Sequence, residues 1–316
     1  MEKVVLAVDL GGTNLRMAAV NENGQISYRA KCATPRDADG PEIVRSIDSL
    51  AQDFLATAEG ARASRTALGL AAAATINGRD GILTKAPNMP SLNGFEMRSA
   101  LAERLKIPVI LENDATAAAI GENWLGASAG YSNSICVTLG TGVGGGIIIE
   151  GRPLRGPDGT AGEIGHICVE PLGRECGCGS RGCVEQYASA SAMVRMAREL
   201  LPDFPGSSLH GNCDITSLDL YEAGKSGDEL ALEVFRSMGS YLGIALAGLI
   251  NVLNPEVIVI GGGAASGWDL FINQLQDVVQ KRSFREPAER AKLMRSGLGD
   301  DSGILGAARL ALSSNL

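Results

Sequence analysis

At 316 residues the chain is long enough for one large domain or two medium ones, and it can bury a sizeable core. Hydrophobic residues make up 45% and charged residues 20%, the balance of a globular chain rather than a disordered or fibrous one. A formal net charge of -8 argues against a general binder of nucleic acid or anionic membrane, so phosphorylated ligands need local cradles of backbone N–H groups.

The apolar run that opens the chain ends at Asp9 and two glycines, too short for a signal peptide. It reads as strand, tight turn and strand: "KVVLAVDL", "GGTN", "LRMAAV", then a second turn at Asn23-Gly24. Next come a helix over 42–58, a buried strand over 66–73, a loop rich in Asn, Pro and Gly over 77–94, and a helix near 96–105. "IPVILEND" is a strand, and "ATAAAIGENWLG" is a helix that Asn113 or Asp114 could cap. From Ser134 the opening pattern recurs as "SICVTL", "GTGVGGG", "IIIE" and a turn at Gly151. Helices follow near 184–200, 218–223 and 228–253, then the buried strand "EVIVIGGG", a helix near 268–281 and a final helix "SGILGAARLAL". The nearest approach to a membrane span, 241–263, is interrupted by Asn251, Asn254, Pro255 and Glu256, so a cytoplasmic protein is expected. Two βββαβα-like halves make a duplicated α/β chain, with domains expected at 1–115, joined by the C-terminal helix 302–316, and at 116–301.

Gly140, Gly142 and Gly145 match a dinucleotide fingerprint, but Ile147, Ile148 and Ile149 follow where that motif requires a helix. The stretch is a hairpin turn instead. Its counterpart "DLGGTN" offers a carboxylate, Asp9, that can hold hydrated Mg²⁺ while turn N–H groups meet phosphate oxygens; Thr13 adds a hydroxyl, and Arg16 could reach in. A third glycine turn lies at Gly261, Gly262 and Gly263. No P-loop motif occurs. Asp114 stands at a strand's carboxyl end, where α/β proteins bind ligands, and phosphoryl transfer to an alcohol wants a carboxylate there.

Of seven cysteines, Cys176, Cys178 and Cys183 cluster, and with His166 they give H-x9-C-x-C-x4-C, the donors of a closed tetrahedral structural zinc site in the loop 162–186. An odd cysteine count without a secretion signal favours metal or buried thiols over disulfides. The second histidine, His210, lies in a polar loop. Glu163 and Glu185 flank the cluster and would accept hydrogen bonds from the hydroxyls of a polyol such as a sugar, with the free nitrogen of His166 facing the same ligand.

These residues resemble the ROK family of repressors, uncharacterised reading frames and sugar kinases. The resemblance runs over nearly the whole chain: "DLGGTNLRMA", "ENDATAAAIGE", "LGTGVGGGIII", "GEIGHI", "CGCGSRGCVE", "NPEVIVIGGG" and the terminal helix. It implies the actin/hexokinase-like (ribonuclease H-like) duplicated fold, with ATP and sugar meeting in a cleft between two domains. It also implies an ATP-dependent hexose kinase that makes glucose 6-phosphate, an enzyme of carbohydrate metabolism and glycolysis. Asp114 matches the catalytic base; Asn113, Glu163, His166 and Glu185 match the sugar contacts, with His166 also a zinc ligand. Asp9, Gly11, Gly12, Thr13 and Asn14 match one phosphate turn, Gly140, Thr141 and Gly142 the other, and Gly261 to Gly263 the nucleoside side. ATP, Mg²⁺ and structural Zn²⁺ are the implied cofactors, and a homodimer or homotetramer the implied assembly. An N-acetylmannosamine kinase, another hexose kinase, a polyphosphate-using enzyme and a non-catalytic sugar sensor are the alternatives. Repressor members carry a helix-turn-helix before the first glycine turn, for which eight residues leave no room. "AAAATING" (71–78) replaces a Gly/Pro-rich turn common in the family, which leaves the contacts of 75–93, Asn88 and Asn93 among them, unassigned.

Overall fold

Along Val4–Val8 successive side chains point to opposite faces, and both sets are apolar, so the segment suits a strand buried on two sides. In the computed structural model, which describes residues 2–35 and 37–313, this is β1 (Glu2–Leu10). It pairs antiparallel with β2 (Asn14–Asn21), and β2 pairs antiparallel with β3 (Ile26–Ala33). On its other side β1 runs parallel to β4 (Ala63–Ala72). A small hairpin of β5 (Thr75–Asn77) and β6 (Ile82–Lys85) precedes β7 (Val109–Asn113), which runs parallel to β4. The sheet order is β3-β2-β1-β4-β7.

Each face of this sheet buries a different set. Leu6, Val8 and Leu10 meet Ile43, Ile47 and Phe54 of α1 (Gly40–Leu55) and Leu101 of α2 (Met97–Leu105). Val5, Ala7 and Ala18 meet Ala117 of α3 (Asp114–Leu125) and Ile304, Ala307 and Ala308 of the C-terminal helix. The second face is built mainly of alanine, so the backbones pack closely there.

The second sheet repeats the connectivity with β8 (Ser134–Leu139), β9 (Val143–Ile149), β10 (Arg152–Pro153), β11 (Val257–Gly261) and β12 (Lys292–Arg295), in the order β10-β9-β8-β11-β12. Its antiparallel and parallel pairings fall in the same places: β10 is antiparallel to β9, while β8, β11 and β12 are parallel. Between β10 and β12 lie α4 (Glu185–Ala188), α5 (Ala190–Leu200), α6 (Ser217–Lys225), α7 (Glu229–Leu253), α8 (Trp268–Arg282) and α9 (Arg285–Arg290). By length and composition α7 could cross a membrane, but Val234, Phe235, Met238, Leu242, Leu246 and Ile250 are buried in protein, as in a core helix. The helix expected over 184–200 is two helices. Ser189 is extended and caps α5 by accepting from the Ala192 N–H at 3.1 Å.

The chain ends in α10 (Ser302–Ser313); residues 314–316 of the expected helix lie outside the described residues. Two compact units result. One runs through Gly130 and adds Gly146–Gly162 and the chain from Gly297 onward; the other comprises Tyr131–Gly145 and Glu163–Ser296. The division expected at residue 115 differs from this one. α3 stays with the first unit because it packs on α10, where Gly306 stands against the Ala117 carbonyl so closely that an added Cβ would lie 1.7 Å away. Of the loop 162–186, Gly162 falls in the first unit and the rest, from Glu163 on, in the second.

Candidate active site

In the first unit the parallel register decides what meets what. Asp9, Ala71 and Glu112 align across β1, β4 and β7, and Leu10, Ala72 and Asn113 form the next row. The Gly11–Thr13 turn and Asp114 therefore leave the same carboxyl edge of the sheet, two strands apart, or about 10 Å. Gly11 N–H donates to the Asn14 carbonyl at 3.0 Å and closes the turn, while the Thr34 hydroxyl donates to the Gly11 carbonyl at 2.7 Å. Arg16 is the cross-strand partner of Asp9 and pairs with its carboxylate. It thus does not reach into the turn as a separate charge.

Asn113 ends β7 and caps α3, its Oδ1 accepting from the N–H groups of Ala115 at 3.0 Å and Thr116 at 3.1 Å. Asp114 follows at the helix start. Its Oδ1 accepts from Ala115 N–H at 2.9 Å and from Asn113 Nδ2 at 3.1 Å. From the loop left unassigned, Asn88 packs on the glycine turn, its Cβ only 2.9 Å from where a Gly12 side chain would start. Asn93 folds its own loop instead, accepting from Ala86 N–H at 2.7 Å.

In the second unit Thr138 on β8 aligns with Gly261 on β11, so the Gly140–Gly142 and Gly261–Gly263 turns leave adjacent strand ends. Gly262 has φ +87°, and a Cβ there would stand 2.5 Å from the Leu139 carbonyl oxygen, so both conformation and space require glycine. Beside Gly263 opens a cavity of about 220 Å³ lined by Met193, Ser217, Leu218, Tyr221 and Phe235. Sequence reading found the turn but not these side chains, because they come from three helices. Glu185, the first residue of α4, accepts from Val143 N–H at 3.1 Å through Oε2, and a Cβ on Gly142 would lie 2.4 Å from that oxygen. The glutamate assigned to a sugar thus also ties the Gly140–Gly142 turn.

Around the cysteine loop, His166 Nδ1 lies 3.6 Å from Cys176 Sγ, and Cys178 Sγ lies 3.6 Å from Cys183 Sγ. All four donor atoms lie within 4.8 Å of one another. Four ligands tetrahedrally placed at zinc bond lengths stand about 3.5–3.8 Å apart, so the cluster fits a cation of that size. Burial and its thiol neighbours push the Cys183 thiol up to about 12, a penalty that a shared cation removes. Gln186 Nε2 also approaches Cys176 Sγ at 3.7 Å. The other ring nitrogen, Nε2 of His166, faces Glu163 Oε2 at 3.9 Å, with Glu163 half exposed. Cys168 is exposed and bridges to Cys183 through backbone only, while His210 bonds the Phe204 carbonyl at 3.0 Å. Among the described residues no cysteine forms a disulfide.

The model of the ROK family matches residues 5–314. The chain belongs to the ROK family. A glucokinase of Halalkalibacterium halodurans is 36% identical over 306 residues, 95% of this chain and 92% of that protein. Among solved structures, a ROK family glucokinase from Streptomyces griseus in complex with glucose and AMPPNP is 35% identical. It superposes with a TM-score of 0.83, over 98% of this chain and 99% of that one. A ROK family transcriptional regulator is 28% identical with a TM-score of 0.90, over 99% of this chain and 79% of its own. With the family comes the actin/hexokinase-like α/β fold, whose repeated sheet connectivity both halves display.

Proposed function

We propose that this ROK family hexose kinase transfers the γ-phosphoryl group of ATP to the 6-hydroxyl of glucose. The observation that carries the reading is the shared edge in the first unit, where register sets the Gly11–Thr13 turn beside Asp114. Asp114 accepts the proton of the 6-hydroxyl while that oxygen forms its bond to phosphorus, and the bond to the oxygen departing with ADP breaks. Asn113 holds the Asp114 carboxylate and the start of α3 in one geometry. Glu163, Glu185 and His166 receive the remaining sugar hydroxyls. The Asp9–Asn14 and Gly140–Gly142 turns each offer N–H groups to phosphate oxygens, and the cavity beside Gly263 takes the base. Mg²⁺ supplies charge neutralisation when bound with ATP, and Asp9 is the carboxylate at the turn that would hold it. His166, Cys176, Cys178 and Cys183 would hold Zn²⁺ as a closed structural centre that fixes the ring of His166.

A coupled assay over hexoses and N-acetylhexosamines, with ATP and with polyphosphate, tests this. The expected result is the highest kcat/KM with glucose and ATP. Preference for an N-acetylhexosamine or for polyphosphate would overturn the substrate or donor assignment. A sensing role without turnover draws on the likeness to the regulator. Glucose binding with no phosphorylation of any sugar in the panel would establish that role instead.

A further inference from the structure

We propose that Arg155 and Glu112 form a positioning pair that sets Asn113 and Asp114 for phosphoryl transfer; the inference rests on the hexose-kinase reading above. Glu112 is the penultimate residue of β7, and its side chain is 8% exposed. A carboxylate so far from water needs both a counter-charge and donors for its oxygens. Arg155, from the segment after β10, supplies the charge: its Nε and Nη2 reach Oε2 at 2.8 and 2.7 Å. The other oxygen, Oε1, accepts from the backbone N–H of Asn113 at 3.2 Å. Asn113 in turn bonds Asp114 through Nδ2 and caps α3 through Oδ1. One chain of contacts therefore runs from the guanidinium to the catalytic base.

The same arginine also organises its own segment. Its carbonyl accepts from Ala161 N–H at 3.0 Å, closing a loop of 155–161 immediately before Gly162 and Glu163 in sequence. Fold stability alone gives little reason for charges here, since a well-packed apolar pair would serve the strand end as well. What an ion pair adds is a fixed direction at each oxygen of Glu112, and so a fixed Asn113 backbone at the residue before the base. Nothing in the sequence joins Glu112 to Arg155, because 43 positions separate the partners.

The full-length chain is assayed as wild type, Arg155→Met, Arg155→Lys and the double variant Arg155→Met with Glu112→Gln, each also melted thermally. Arg155→Met is expected to lower kcat about tenfold or more, with the KM for ATP moving less than about threefold, because orientation rather than nucleotide contact is lost. Arg155→Lys should retain part of the rate. The double variant should recover at least about fivefold over Arg155→Met, since a neutral amide can still accept from Asn113 without an unpaired charge. Turnover of Arg155→Met within about twofold of wild type, with only the melting midpoint lowered, would make the pair structural and sink the proposal. So would a double variant no faster than Arg155→Met. A wild-type chain that phosphorylates no hexose overturns the functional reading, and the pair's role with it, whereas an active wild type with unaffected variants removes the pair alone. If Arg155→Met fails to fold, Arg155→Lys and the double variant decide.

Discussion

Asp114 is held by two donors on one oxygen, Ala115 N–H and Asn113 Nδ2, and both bonds survive if an asparagine oxygen takes that place. Asp114→Asn therefore keeps the shape of the site and removes the capacity to take a proton. The variant is expected to lose roughly 10²–10⁴ in kcat while sugar affinity by calorimetry stays near wild type. Near wild-type turnover would remove Asp114 from the role of base. Its position was readable in sequence, since a carboxylate between a β-run and an alanine-rich helix marks a strand's carboxyl end. The partner of Asp9 was readable too, in principle. Counting outward from the Gly12-Thr13 tip sets Gly11 against Asn14, Leu10 against Leu15 and Asp9 against Arg16, so the arginine belongs to the aspartate. Glu185 was half legible. Its place beside Cys183 is in the sequence, but its bond to Val143 N–H joins residues 42 apart and only the fold reveals it.

Among elements, the glycine turns and the strands leading into them were legible because buried, β-branched runs stop abruptly at glycine. β3 and β12 were not. β3 alternates half-buried and exposed residues along an edge, and β12 is four residues with none fully buried, so neither carries a run of hydrophobic side chains. The Gly261–Gly263 turn is the element most sensitive to a single methyl group. Gly262→Ala forces a side chain at φ +87° against the β8 backbone, a strain of about 1–3 kcal/mol. Its expected effect is a higher KM for ATP with the sugar KM nearly unchanged; equal KM values for ATP in variant and wild type would disconnect this turn from the nucleotide. For the loop 162–186 the prediction concerns metal. Protein purified without chelator should carry about one zinc per chain, and stripping it should lower the melting midpoint by about 5 °C or more. Much less than one zinc, or an unchanged midpoint, would leave the four donors as three thiols packed against an imidazole.

At the scale of the whole molecule, duplication was legible from the two glycine hairpins, but the limits of the units were not. Those limits depend on how closely small residues let α3 approach α10, a property of paired surfaces rather than of either sequence segment. The chain crosses between the units after Gly130, Gly145, Gly162 and Ser296, and one buried side chain holds the first-unit side of the first and last crossings. Glu122 on α3 is fully buried, and its carboxylate accepts from Ala127 N–H at 2.7 Å, Gly297 N–H at 3.1 Å and Leu298 N–H at 3.1 Å. Two segments remote from each other in sequence are thus tied to one helix through a single carboxylate. Glu122→Ala leaves those three N–H groups to be re-satisfied, a loss of about 3 kcal/mol or more. For a chain of this size that corresponds to a midpoint lowered by about 4 °C or more. Hydrogen exchange should localise the damage, with the amides of Ala127, Gly297 and Leu298 exchanging faster while those of β1 and β4 keep their protection. A midpoint within about 1 °C of wild type, with unchanged exchange at those three amides, would show that the crossings are held by other contacts.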